Sequence, residues 1–329
     1  MTDSTDSADR TNRTNRTDHT DQWERKLVEK IALAGLAEQR RARRWGIFFK
    51  LLFFAYVTWI ILLVTGWQGS EATKAENHTA LVDIDGLIVP GGDASADRIM
   101  TALQAAFEDE HTKGVVLRIN SPGGSPVQAQ MIYDEMRRLR KKYPNIPLYA
   151  VVEDLCASGG YYVAVGADRI YVSQSSIVGS IGVRMDGFGV TGLMDKLGIE
   201  RRLLTAGKNK ALLDPFLPAD KAQEQYVLGL LEEVHEQFIH TVREGRGKRL
   251  KETPDMFSGL IWTGQKGIEL GLVDAIGTLD YVAREVVKAD EIVDYTQKEN
   301  LAERIAKRFG ASVAGALADV ALRERLLLR

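Results

Sequence analysis

GVVLRINSPGG, residues 114–124, is the stretch on which the fold turns. Its aliphatic run has the composition of a buried strand, the Asn120-Ser121-Pro122-Gly123-Gly124 end is a turn, and a helical pattern opens at Pro126. A strand that passes through a glycine corner into a helix is half of an α/β unit, and the pattern repeats on either side. Upstream, LVDIDGLIV (81–89) is followed by a helical segment with Ile99, Leu103 and Phe107 on one face; downstream, PLYAVVE (147–153) leads into Ala157-Ser158-Gly159-Gly160-Tyr161-Tyr162. Further strand signals at RIYV (169–172) and IERRLLT (199–205), then a long amphipathic helix from about Ala219 to Arg243, predict one continuous α/β domain over residues 80–290.

The two glycine corners are where chemistry is expected. Glycines let backbone N–H groups converge on a small volume, and a helix starting beside Ser158 would turn its positive end toward an oxyanion formed next to the hydroxyl. Taken singly, each corner is equally well a tight turn. A serine nucleophile needs a base, and the histidines do not offer one: His19 lies in a polar tail, His78 just past the hydrophobic run, His111 after a surface-like acidic run, and His235 and His240 on the long helix as surface or packing residues. A lysine serves instead only where burial disfavours its ammonium form. LLTAGKNKALLDPF (203–216) carries Lys208 and Lys210 among apolar residues, although by itself that pair reads as a solvated loop. The one cysteine, Cys156, two residues before Ser158, reads as a small buried apolar group, and a single thiol allows neither an internal disulfide nor a multi-cysteine zinc site.

The flanks differ from this centre. Residues 1–22 are rich in Thr, Asp, Asn and Arg and predict a disordered tail. Residues 23–44 predict an amphipathic helix ending in Arg40, Arg41, Arg43 and Arg44. Residues 45–67, WGIFFKLLFFAYVTWIILLVTGW, predict an uncleaved transmembrane anchor for a bilayer core of about 30 Å, with Lys50 near its basic end. The basic flank then places the N-terminus in the cytoplasm and the domain beyond the inner membrane, on the periplasmic or extracytoplasmic side, with the lipid bilayer as a partner. Residues 291–329 form an amphipathic arm, basic near its end. A net charge of −2, from 43 basic and 45 acidic residues spread along the chain, lacks the basic stripe of a nucleic-acid binder.

In order, NSPGG, ASGGYY, VGSIGV (178–183), the Gly207-x-x-Lys210-x-x-x-x-Pro215 run and WTGQKGIELGLVDAIG (262–277) resemble the bacterial signal peptide peptidases, the protease IV family, in their short single-length form. The resemblance covers about residues 80–285. It implies a crotonase-like or Clp-like α/β fold and a serine endopeptidase with a Ser-Lys dyad, Ser158 as nucleophile and Lys210 as general base. It further implies Gly124 and Gly159 as oxyanion-hole donors, Ser180 as the residue that orients the lysine, and no metal or organic cofactor. The implied substrates are cleaved signal peptides and other membrane-associated peptides. In tandem-duplicated members the serine and lysine come from different halves of one chain, so a short chain is expected to share its sites within a ring-like homo-oligomer. Lys208 falls outside the motif position, and Asn209 stands where an aromatic residue or histidine is frequent. Two other readings of such a fold are a non-catalytic quality-control scaffold and an acyl-CoA hydratase or isomerase.

Overall fold

The computed structural model describes residues 30, 41, 43–59 and 77–297. The chain divides into two compact units, Met1–Thr73 and Lys74–Arg329. In the first, residues 43–59 are helical. The anchor expected over 45–67 is corrected here. The described run opens on Arg43 and Arg44 and carries Lys50 within it, three charges in 43–59 that an apolar span has to accommodate. Among the described residues no helix is long and apolar enough to cross a membrane. The single-pass topology, the bilayer as a partner, the inner-membrane location and the anchored form of the family all rested on that span and fall with it. Residues 60–67, the tail over 1–22, most of the helix over 23–44 and the arm beyond residue 297 lie outside the described residues.

The second unit is built on one mostly parallel sheet. Strands β1 (His78–Asp85), β2 (Thr112–Ser121) and β3 (Leu148–Ala157) lie side by side, with Val82 opposite Leu117 and Leu117 opposite Ala150. Parallel neighbours need a crossover, and helices α1 (Ala96–Glu108) and α2 (Pro126–Lys142) supply it. Ile99, Leu103 and Phe107, spaced one helical turn apart, are all buried on α1, as the sequence predicts. Ala129, Ile132, Met136 and Leu139 do the same on α2, whose start is set by Pro126 in the first turn behind the cap residue Ser125.

Beyond β3 the sheet forks. The first half of β3 pairs with β4 (Arg169–Val172), which continues to β7 (Ala275–Ile276); its last residues pair with β5 (Ile177–Gly179), which pairs antiparallel with β6 (Ile261–Thr263). On the other edge β8 (Ile292–Asp294) lies parallel to β1, giving the order β6-β5-β3-β2-β1-β8. Because side chains alternate across a strand, Val115, Leu117 and Ile119 enter the main core under α1 and α2. Val116 joins Val151, Tyr171 and Val282 on the opposite face. Both faces are thus covered, as a parallel sheet requires.

The remaining α-helices of this unit are α3 (Gly159–Ala164), α4 (Thr191–Leu197), α5 (Lys221–Arg246), α6 (Gly264–Leu270) and the short α7 (Leu279–Tyr281), with a 3-10 turn at Gly247–Arg249 and a π-helical turn at Val282–Val287. The strand expected over 199–205 is absent. Those residues are exposed and irregular, because no strand of the described chain lies alongside to take up their backbone groups.

Candidate active site

Strands β2, β3 and β5 are mutually parallel, so their C-terminal ends meet at one edge, the usual place for a site in such sheets. Each end carries one of the singled-out motifs. From β2 the chain turns through Pro122-Gly123-Gly124; from β3 it passes Ser158 into α3; from β5 it leaves through Ser180.

The β2 corner is pinned by Ser121, whose hydroxyl donates to the Gly86 carbonyl at 2.6 Å and accepts from the Gly123 N–H at 3.1 Å. Ile88 then takes the corner into a short parallel bridge: its N–H donates to the Gly123 carbonyl and its own carbonyl accepts from Ser125. This packing is the reason for two consecutive glycines. A Cβ on Gly123, at φ 96°, would come within 2.5 Å of the Gly159 nitrogen, and one on Gly124 within 2.2 Å of the Ile88 carbonyl oxygen.

Ser158 is held at φ 51° and ψ −123°, a region that costs a non-glycine residue about 1–3 kcal/mol. Its N–H donates to the Gly179 carbonyl at 2.8 Å, which ties the serine turn to β5 and removes that N–H as an oxyanion donor. Although Ser158 stands just before α3, its hydroxyl makes no capping bond and stays available to the cleft. Gly124 and Gly159 pack against each other beside it: the position a Gly159 Cβ would take is 3.2 Å from the Gly124 nitrogen. Neither N–H makes a hydrogen bond to the protein among the described residues. Ser180 is also strained, at φ 51°, and its N–H donates to the Leu260 carbonyl at 2.8 Å.

Ser158, Gly124, Gly159 and Ser180 line one cleft of about 690 Å³. Lys210 does not line it. It lies exposed in a run of tight turns, in which its N–H donates to the Gly207 carbonyl, and Lys208 is exposed beside it. Of the five residues expected to act together, four therefore converge within one chain and the lysine stays apart. Cys156 faces the core, where burial pushes its thiol pKa up and leaves it unreactive.

Most of the cleft's apolar wall is not legible in the sequence. Tyr162 and Phe238 both line it and meet with ring centroids 5.1 Å apart at a tilt of 48°, and the Tyr162 oxygen accepts from the Thr241 hydroxyl. Tyr162 stands inside the ASGGYY motif, which is a signal of sorts. Phe238 is one of many apolar residues on a long helix, and nothing local distinguishes it.

Comparison with known proteins places this geometry in a family. The model described as peptidase family S49 matches residues 140–293, and the Clp protease model matches residues 84–176. A Brucella melitensis protein named Na(+)/H(+) antiporter NhaA is 42% identical over 209 residues, which make up 62% of this chain and 28% of that one. The chain thus spans well under a third of the length of that relative. A relative from Methanocaldococcus jannaschii named as a protease is 36% identical over 218 residues, 65% of this chain and 69% of its own. One from Enterococcus faecium, named as signal peptide peptidase SppA, is 28% identical over 234 residues, 69% of this chain and 67% of its own. On the extent of these matches, and with both models overlapping at the Ser158 turn, the chain belongs to peptidase family S49.

Proposed function

We propose that this chain is a serine peptidase in which Ser158 is the nucleophile, Lys210 the general base, and the N–H groups of Gly124 and Gly159 the oxyanion donors. Family membership supports serine-protease activity in general. The observation that carries the finer reading is the convergence, in one cleft, of an uncapped serine hydroxyl with two backbone N–H groups that have no protein partner. In the reaction Lys210 takes the Ser158 proton while Oγ bonds to the scissile carbonyl carbon, and the two N–H groups hold the oxyanion. The C–N bond then breaks as the leaving amine takes the proton back, and water hydrolyses the ester. The apolar walls, Leu87, Val183, Val234 and Phe238, suit apolar peptides, so cleaved signal peptides and similar segments are the proposed substrates.

Lys210 is exposed in its own chain, and a lysine needs a dry setting to act as a base. We therefore assign it to the cleft of a second copy in a homo-oligomer, where the neighbour would both supply and bury it, with Ser180 orienting the amine. Ser158→Ala and Lys210→Ala should each lower kcat on a fluorogenic peptide by on the order of 10⁴-fold or more, because the pair acts as a unit, whereas Lys208→Ala should keep most activity. Mixing the two dead variants under subunit exchange should restore activity. A mixture that exchanges and stays dead would remove the shared site, and an active Ser158→Ala would remove the nucleophile. Activity should rise toward the alkaline side of neutrality, since the amine works only after losing its proton. A rate flat across that range argues against a lysine base.

A further inference from the structure

The segment that carries Ser180 poses a problem of support. Ser180 sits at φ 51° without being glycine, and a backbone held there persists only where its surroundings over-determine it. On its N-terminal side the reason is plain: the Ser180 N–H donates to the carbonyl of Leu260, just before β6, and the Gly179 carbonyl accepts from Ser158. On the C-terminal side the chain leaves the sheet after β5, so Ile181, Gly182 and Val183 have no strand partner there. The Ile181 side chain is fully buried in the main core, and its carbonyl reaches a side chain of α5.

That carbonyl is met by His235, whose Nε2 lies 3.2 Å from the Ile181 oxygen. A carbonyl oxygen only accepts, so Nε2 carries the hydrogen, and either charge state of the ring can donate it. His235 is half-buried on α5, between Val234 and Gln237, both of which line the cleft. The bond therefore ties the helix that forms one cleft wall to the strained turn that forms another, one peptide unit from Ser180.

We infer that His235 is a positioning residue: its Nε2–H, bonded to the Ile181 carbonyl, closes the far side of the Ser180 turn and holds the Ser180 hydroxyl in the cleft. Its effect on turnover rests on the serine-peptidase reading of that cleft; its effect on the turn does not. The bond acts on the group that would orient the base, while the apolar walls from Leu87, Tyr162 and Phe238 stay in place, so its loss falls on kcat and leaves KM nearly unchanged. One hydrogen bond of this kind corresponds to a loss of about five- to tenfold. Glutamine can place an amide N–H near the same point.

The experiment compares the full chain with His235→Leu, His235→Gln and, as a control, His240→Ala, at an exposed position on the same helix. Peptide turnover is read alongside hydrogen–deuterium exchange of the Gly182 and Val183 amides. His235→Leu should lose kcat by about five- to tenfold and exchange faster at both amides, His235→Gln should recover most of both, and His240→Ala should match the parent. A His235→Gln as impaired as His235→Leu would make the residue a matter of ring packing, and an unchanged His235→Leu would remove its role altogether. Should His235→Leu fail to fold, nitrogen-15 spectra of the unmutated imidazole decide: a protonated Nε2 sustains the bond, and a bare Nε2 overturns it. A parent without peptidase activity would defeat the proposed function alone, because exchange at the two amides still reports on the turn.

Discussion

Gly123 shows how little freedom a single residue has at this site. Its positive φ favours glycine, and an added Cβ would also press to 2.8 Å against the Cβ of Ser158 itself. Gly123→Ala should therefore displace the serine and the Gly159 nitrogen together. The expected result is loss of most peptidase activity with a stability cost of about 1–3 kcal/mol, read by peptide turnover and urea unfolding. A fully active Gly123→Ala would mean that the corner yields more easily than its packing implies. Cys156, two residues before Ser158, makes the opposite case of a reactive residue type kept inert. With the thiol buried and its pKa raised by burial, native protein should resist iodoacetamide at neutral pH and react only on unfolding, as mass spectrometry would register.

At the scale of elements, the long helix α5 is fastened by its last residue. Arg246, its side chain only 1% exposed, donates through Nε to the Gly271 carbonyl and through both terminal nitrogens to Asp274, at 2.8 and 2.9 Å. Asp274 in turn accepts from the Ile170 N–H at the start of β4, and the buried Tyr161 hydroxyl of α3 donates to Leu272 in the same loop. Asp274, paired with Arg246 and at 3.2 Å with Arg249, thus joins α5, β4 and the turn before β7, behind the helix that follows Ser158. Burial alone would raise the Asp274 pKa, but the Arg246 hydrogen bond and charge outweigh it, and the net shift is downward. A carboxylate whose folded pKa is depressed contributes stability that is present above its unfolded pKa and lost as pH falls through the folded one. Arg246→Met takes the buried partner from Asp274 and leaves it only the longer 3.2 Å ion-pair contact with the half-exposed Arg249, for which the expected destabilisation is about 1–3 kcal/mol at neutral pH. Its unfolding midpoint should also change less on acidification than that of the parent. Equal acid sensitivity in the two would place the acid-labile group elsewhere.

Across the whole second unit, the largest apolar exposure lies between β5 and α5. Phe188 is 86% exposed, Leu204 97% and Leu197 63%, in the segment that also bears Lys210. A run of this kind does not stay in water without cause, and covering it with a second copy would explain both the exposure and the stranded lysine. Leu204→Glu should accordingly shift the mass seen by light scattering toward a single chain and abolish turnover, while secondary structure by circular dichroism stays unchanged. A variant that keeps the parent's mass and activity would show that this face does not join subunits.

What the sequence determined by itself was whatever depends on near neighbours. Helical spacing fixes the buried faces of α1 and α2, and paired glycines mark the corners at Gly123-Gly124 and Gly159-Gly160, so the alternating strands and helices and those two corners are legible in the sequence, while the turn at Ser180 is marked there only by resemblance. The residues 199–205 read as a strand but form none, since β-propensity says nothing about whether a partner edge is present. The hydrophobic run at 45–67 read as a membrane span, yet no described helix is long and apolar enough to be one. Only the tertiary structure decided that Ser158, Gly124, Gly159 and Ser180 face one cleft, that Phe238 walls it, that His235 reaches Ile181, and that Lys210 stands outside. Those relations arise where the parallel strands β2, β3 and β5 end together and α5 folds back over them. Distance in space there is set by sheet register and helix packing, neither of which is written in any local stretch of chain.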